Sequence, residues 1–180
     1  MVLKKSKSCL FVLITAIATV NLNGCSGYPI AQPLPFDVGE NSINSPGGDV
    51  EPQISGRYIV FSSDRRRRQN IYLYDVVEKR LIDLPGLNAP DAIASHPSAS
   101  QDGRYIVFAT TRQGRSGIAL YDRQTRQLRN LTANLPAEVR NPTISADGNI
   151  VAFESSIRGQ WDILVYDRFG RRLNLPIDPR

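Results

Sequence analysis

The chain has 180 residues, a formal net charge of +5 and 41% hydrophobic residues. That composition excludes wholesale disorder, a collagen-like chain and a polytopic membrane protein. One histidine and two cysteines exclude a zinc site built from several Cys and His ligands.

The first segment reads as an address. Lys4, Lys5 and Lys7 precede an apolar run over 10–20, interrupted only by Thr15 and Thr19. A basic segment before a short apolar run predicts a secretory signal. The run is shorter than the roughly 20 residues that span a bilayer. It closes on Leu22-Asn23-Gly24-Cys25-Ser26, which resembles a bacterial lipobox. The resemblance implies cleavage before Cys25, lipidation of its thiol and acylation of the new amine. Two or more acyl chains make a stable membrane anchor. Serine after the cysteine implies delivery to the outer membrane. An unlipidated signal peptide with a chance cysteine is the alternative.

Loss of residues 1–24 removes three lysines and leaves 19 basic against 17 acidic residues, a net charge of +2. No nucleic-acid partner is therefore expected. The remaining bases are 18 arginines and Lys79. Residues 25–50 are rich in Pro, Gly, Asn and Ser and read as a lipidated flexible tether. About 25 such residues reach roughly 25–30 Å.

From residue 51 the chain repeats itself. Gly56-Arg57-Tyr58-Ile59-Val60-Phe61 returns as Gly103-Arg104-Tyr105-Ile106-Val107-Phe108, and more loosely as Gly148-Asn149-Ile150-Val151-Ala152-Phe153. Ile71 to Asp75 returns at 118–122 and 163–167, with the same spacings of 47 and 45. Pro52, Pro97 and Pro142 precede them. Three markers in phase define three units, about 51–88, 96–135 and 141–178.

Each unit predicts four short strands. The first strands are expected over 52–55, 97–99 and 142–145. Asp102-Gly103 and Asp147-Gly148 predict two-residue hairpins with positive φ. The apolar hexamer forms the second strand, and the segment ending in Tyr-Asp the third. The fourth strands are expected over 80–84, 127–131 and 171–175. The middle strands are apolar on both faces, with Ile59 and Phe61 on one and Tyr58 and Val60 on the other. Each sheet must therefore lie between two neighbours, which a radial stack of blades provides.

The Pro, the Ser, Asp-Gly, the hexamer ending in Phe, the Tyr-Asp strand and Leu131-Thr132 resemble the TolB-type propeller repeat. Unit two carries the pattern best. The resemblance covers about 130 residues and is to the repeat, not to TolB itself, whose N-terminal α/β domain has no counterpart. It implies an all-β fold of three four-stranded antiparallel blades, a partial β-propeller, after the signal peptide and tether.

Propellers close with four to eight blades. Three leave two open flanks, and a homodimer closing a six-bladed ring is the expected answer. An arc capped by a different protein and a gene remnant are the alternatives.

The second-to-third-strand loops share one end of a propeller. They carry Arg65, Arg66, Arg67 and Arg68 in unit one, Arg112 and Arg115 in unit two, and Arg158 and Trp161 in unit three. Arginine forks match carboxylates and phosphates, and Trp anchors interfaces. This rim is a candidate docking face for an envelope protein with an acidic segment or a peptidoglycan-associated protein. A solvated charged loop is the alternative. For Arg65, Arg112 and Arg158, which recur near one repeat position, a structural role is another, leaving Arg66, Arg67, Arg68 and Trp161 as the stronger docking candidates. Asp75, Asp122 and Asp167 are expected to accept backbone hydrogen bonds at a turn. His96, Glu51 and Asn141 share one repeat position and read as loop residues.

No Gly-x-Ser-x-Gly elbow, phosphate-binding loop or marked carboxylate pair is present. No catalytic residue, cofactor or metal is expected, and the chain reads as a non-enzymatic interaction module facing the periplasm. An accessory propeller of an envelope hydrolase or peptidase is the alternative.

Overall fold

The computed structural model describes residues 42–174. The expected signal peptide, Cys25 and most of the expected tether lie outside them. The described residues are all-β and form three antiparallel sheets, each a simple meander. Sheet one orders β1 (Asp49–Ser55), β2 (Tyr58–Ser63), β3 (Asn70–Asp75) and β4 (Arg80–Ile82). Sheet two orders β5 (Ile93–Ala99), β6 (Tyr105–Arg112), β7 (Arg115–Asp122) and β8 (Gln127–Asn130). Sheet three holds β9 (Val139–Ile144), β10 (Ile150–Ser155) and β11 (Asp162–Asp167). Sheet three thus has three strands among the described residues, not the expected four: at the fourth position Tyr166 and Arg172 form a single bridge, and Leu173 N–H donates to the Val165 carbonyl.

The two apolar faces of the middle blade explain the stacking. Ile106, Phe108, Ala119 and Tyr121 join Val60, Ile71 and Leu73 of blade one in one core. Tyr105, Val107, Ala109, Ile118 and Leu120 join Val151, Phe153, Leu164 and Tyr166 of blade three in another. Alternation along β6 and β7 sends successive side chains to opposite neighbours.

A repeated latch sets the spacing between blades. The Tyr58 ring lies against Gly103 of blade two, and the Tyr105 ring against Gly148 of blade three. A Cβ at either glycine would run into the ring. Each ring also meets a guanidinium of the next blade: Arg123 at 5.2 Å from Tyr58, Arg168 at 5.4 Å from Tyr105.

The structure corrects three further expectations. The Asp-Gly hairpins close over four residues, not two, because Ser100 N–H donates to the Tyr105 carbonyl and Ser145 N–H to that of Ile150. Ser100 and Ser145 hydroxyls donate to Asp102 and Asp147, bracing the wider turn. Only unit one, where Ser55 pairs directly with Tyr58, has the tight two-residue connection.

Glu51, His96 and Asn141 lie within β1, β5 and β9 rather than in loops. All three adopt left-handed φ, 56°, 49° and 51°, beside the prolines. The register shifts there in all three sheets, because proline has no N–H for the ladder. These bulges let the first strands begin upstream of the prolines.

The last residues of the expected tether are also bound. Ser45 N–H donates to Asp49 at 2.7 Å, Gly48 N–H to Asp64 at 2.6 Å, and β1 starts at Asp49.

The three aspartates behave as expected. Asp75 accepts from Val77 and Glu78 N–H, Asp122 from Gln124, and Asp167 from Phe169 and Arg171.

Candidate docking site

The rim arginines divide by what surrounds them. Arg65 is built into the fold, its side chain only 5% exposed. It pairs with Asp49 at 2.7 Å and donates to the Ser42 and Ile43 carbonyls. Its guanidinium covers the Phe61 and Tyr72 rings at 5.2 and 4.7 Å. Burial pushes the Asp49 carboxyl up, but hydrogen bonds from Ser63, Arg65 and Ser45 outweigh it and hold it below the usual range. Arg65 therefore does not serve the rim, because its donors are directed inward.

Arg66, Arg67 and Arg68 are exposed at the tip of the β2–β3 loop. Arg67 takes a φ of 64° and its N–H donates to the Asp64 carbonyl at 2.6 Å, which turns the loop back. Arg68 donates to the Pro90 carbonyl. From the adjacent blade, Arg112 at the end of β6 pairs with Asp91 at 2.9 Å. Arg112 and Arg115 thus lie at the ends of paired strands rather than on the expected loop, with only Gln113 and Gly114 between them, and one loop and one strand end from different blades converge on the 90–91 crossover.

Beside that crossover is a cleft of about 850 Å³, bordered by Arg112 and Arg115. Leu87, Phe108, Ala119 and Leu135 give it apolar walls; Asn88, Asn130 and Thr132 give it polar groups. Those polar groups are themselves anchored. Asn88 accepts from Ile71 N–H and donates to the Ile71 carbonyl, both at 2.9 Å. Thr132 accepts from Ile118 N–H at 2.9 Å and from its own side donates toward Asn130. Arg115 is exposed at the cleft edge.

Arg158 and Trp161, both exposed, sit on the β10–β11 loop of blade three. No hydrogen bond or ion pair among the described residues links them to the crossover. Trp161 instead lies under Arg140, whose Cζ is 3.8 Å from the ring centroid, and Arg140 pairs with Glu154 at 2.6 Å. Sequence reasoning missed Asp49, Asn88 and the 133–138 segment. Only Thr132 carried a signal, as the end of the repeat.

The described residues gather no group of three or more His, Cys, Asp and Glu side chains placed to hold a metal. His96 Nε2 lies 3.2 Å from Glu51, and both belong to the bulges.

No family model and no curated protein matches the sequence. Solved structures do match. A putative TolB from Agrobacterium tumefaciens superposes with a TM-score of 0.58 at 23% identity, over 78% of this chain and 50% of that one. The fold is that of part of a β-propeller. TolB from Acinetobacter baumannii gives 0.57 at 23% identity, over 73% and 33%. The propeller domain of the Trilobed protease from Pyrococcus furiosus gives 0.53 at 14%, over 71% and 42%. The chain spans a third to a half of the length of these structures.

Proposed function

We propose that this propeller is a non-enzymatic interaction module of the cell envelope, held to the outer membrane through Cys25 and facing the periplasm. Its partner carries an acidic segment that docks on Arg66, Arg67, Arg68, Arg112 and Arg115, as an envelope protein or a peptidoglycan-associated protein does. The observation that carries this reading is the convergence of Arg68 from the β2–β3 loop and Arg112 from the end of β6, in adjacent blades, on the 90–91 crossover, beside a cleft with apolar walls. Guanidinium groups match carboxylates, while the cleft admits an apolar side chain of the same segment.

The test is binding of a ten-glutamate peptide and a ten-lysine peptide to the full chain, by fluorescence anisotropy. Saturable binding of the glutamate peptide alone supports the reading; equal binding of both, or of neither, contradicts it. Incorporation of an alkyne-tagged fatty acid in cells, lost in Cys25→Ser, tests the anchor.

The likeness to a protease's propeller domain supports a second reading, an accessory propeller beside an envelope hydrolase. Under that reading the chain changes the turnover of a peptidase that copurifies with it.

A further inference from the structure

The turn after the third strand is built the same way in every blade. Val77, Gln124 and Phe169 each stand two residues beyond that strand's last aspartate. Each donates its N–H to the aspartate carboxylate, at 3.0, 2.9 and 2.9 Å. All three residues are exposed. Gln124 belongs to the middle blade, which has a neighbour on both faces. The exposure of this position therefore does not depend on what lies beyond blade three.

The junction of blades two and three departs from that of blades one and two in two places at once. The turn of blade three carries a phenyl ring, 54% exposed, where the middle blade carries a carboxamide. On the neighbouring blade, β8 holds Arg129 opposite Leu120, where β4 holds Ile82 opposite Leu73. The two changes meet. The Arg129 guanidinium lies 5.9 Å from the Phe169 ring centroid, with Arg168 at 4.9 Å and Arg171 at 5.8 Å. The middle blade closes the same turn on glutamine, so the fold does not require this cluster.

The cluster is cationic. Arg172 is exposed beside these three arginines, and among the described residues Asp167 is the one carboxylate with which any of the four pairs. Asp167 is already engaged by the N–H groups of Phe169 and Arg171, and its side chain is 14% exposed.

The ring stands on a projecting turn rather than in a groove. The cleft beside it holds about 250 Å³, below the roughly 300–1,000 Å³ of ligand pockets. A peptide is held by a groove or a strand edge. A projecting ring among guanidiniums suits a bilayer surface instead, because aromatic rings settle at headgroup depth and guanidinium forks match phosphate oxygens. We propose that this turn is a contact with anionic phospholipid, with Phe169 entering the headgroup layer and Arg129 and Arg171 on lipid phosphates. The turn and the β2–β3 and β10–β11 loops lie at opposite ends of the third strands, so a bilayer held here leaves the basic rim facing away from it. The inference does not rest on the rim or its partner, and its test reads residue 169 whether or not Cys25 is lipidated.

Tryptophan fluorescence of the full chain on vesicles tests it. Trp161→Phe removes the native tryptophan, and Phe169→Trp or Gln124→Trp places the reporter on one turn or the other. The vesicles are phosphatidylcholine brominated in its acyl chains, with or without phosphatidylglycerol. Emission from position 169 is expected to be quenched when phosphatidylglycerol is present and far less by phosphatidylcholine alone. Adding Arg129→Gln and Arg171→Gln is expected to restore it. Emission from position 124 is expected to stay unquenched on both vesicles. Circular dichroism reports that each variant is folded; every substituted site is exposed. Absence of quenching at 169, equal quenching at 124 and 169, or quenching indifferent to phosphatidylglycerol or to the two arginines overturns the proposal. So does binding of a ten-glutamate peptide that Phe169→Ala abolishes, without quenching, which would assign the cluster to an acidic protein segment.

Discussion

Arg104 donates to both carboxylate oxygens of Asp122, at 3.1 and 3.0 Å, and so ties the start of β6 to the end of β7. Blade one repeats the arrangement with Arg57 and Asp75, and Arg171 supplies the guanidinium for Asp167. The guanidinium of Arg104, opposed by burial, holds the Asp122 carboxyl below its ordinary value of 3.8. That of Arg57 does the same for Asp75. Burial pushes Asp167 up, but the Arg171 N–H and side chain outweigh it.

These carboxyls are depressed in the folded state. Their stabilisation is therefore complete above roughly pH 5 and is lost as pH falls through the unfolded value toward the folded ones. Thermal melts are expected to share one Tm between pH 6 and 8 and to drop below pH 4. Asp122→Asn is expected to flatten that drop and to lower stability at pH 7 by about 1–2 kcal/mol. A Tm that rises on acidification would contradict the pairing.

The hairpin glycines separate strain from crowding. Gly114 and Gly148 have similar φ, 74° and 72°, but nothing lies within 4 Å of a Cβ at Gly114, while the Tyr105 ring occupies that space at Gly148. Gly114→Ala is expected to cost about 1 kcal/mol, from left-handed strain alone. Gly148→Ala is expected to cost at least about 2 kcal/mol, because the inter-blade latch must open as well. Urea midpoints measured on both variants make the comparison; equal midpoints would remove the latch from the account.

Within the middle blade, burial sets the cost of truncation. Ile118 is fully buried against blade three, while Leu128 on β8 is 41% exposed. Ile118→Ala is expected to cost about 3–4 kcal/mol, and Leu128→Ala under about 0.5 kcal/mol. Equilibrium denaturation checks both.

Neighbouring arginines are expected to behave oppositely. Arg65→Ala leaves Asp49 without its ion pair and uncovers Phe61 and Tyr72, for a loss of roughly 3 kcal/mol. Arg66→Ala, at an exposed tip, is expected to change stability by less than about 0.5 kcal/mol. Thermal melts of the two single variants decide it, and similar Tm losses would mean the tip is structural.

The blades were legible because their signal is repeated. Gly103-Arg104-Tyr105 and Ile118 to Asp122 recur at fixed spacing, and their two apolar faces predict the stacking seen in both cores. Asp102-Gly103 alone predicts a two-residue turn, whereas the Ser100 hydroxyl, donating to Asp102 and accepting from Tyr105 N–H, widens it to four. The recurrence of Arg65, Arg112 and Arg158 near one repeat position points to a structural role, which holds for Arg65, but its partner is not legible. Its partner Asp49 is 16 residues upstream, in a stretch whose Pro, Gly and Ser content reads as linker. The site was half legible. Arg66, Arg67, Arg68 and Arg112 were picked from their loops, but the crossover that joins them, and Asn88 beside it, lie between repeats where no periodicity speaks.

The measurement that bears most directly on the docking face is the affinity of the full chain for a labelled ten-glutamate peptide, with and without Arg66→Gln, Arg67→Gln and Arg68→Gln together, at low and at physiological salt. Each exposed ion pair contributes about 0.2–1 kcal/mol, so the triple variant is expected to bind roughly tenfold more weakly and to lose most of the salt dependence, with an unchanged Tm. Identical affinity and salt dependence in the two proteins would contradict the account.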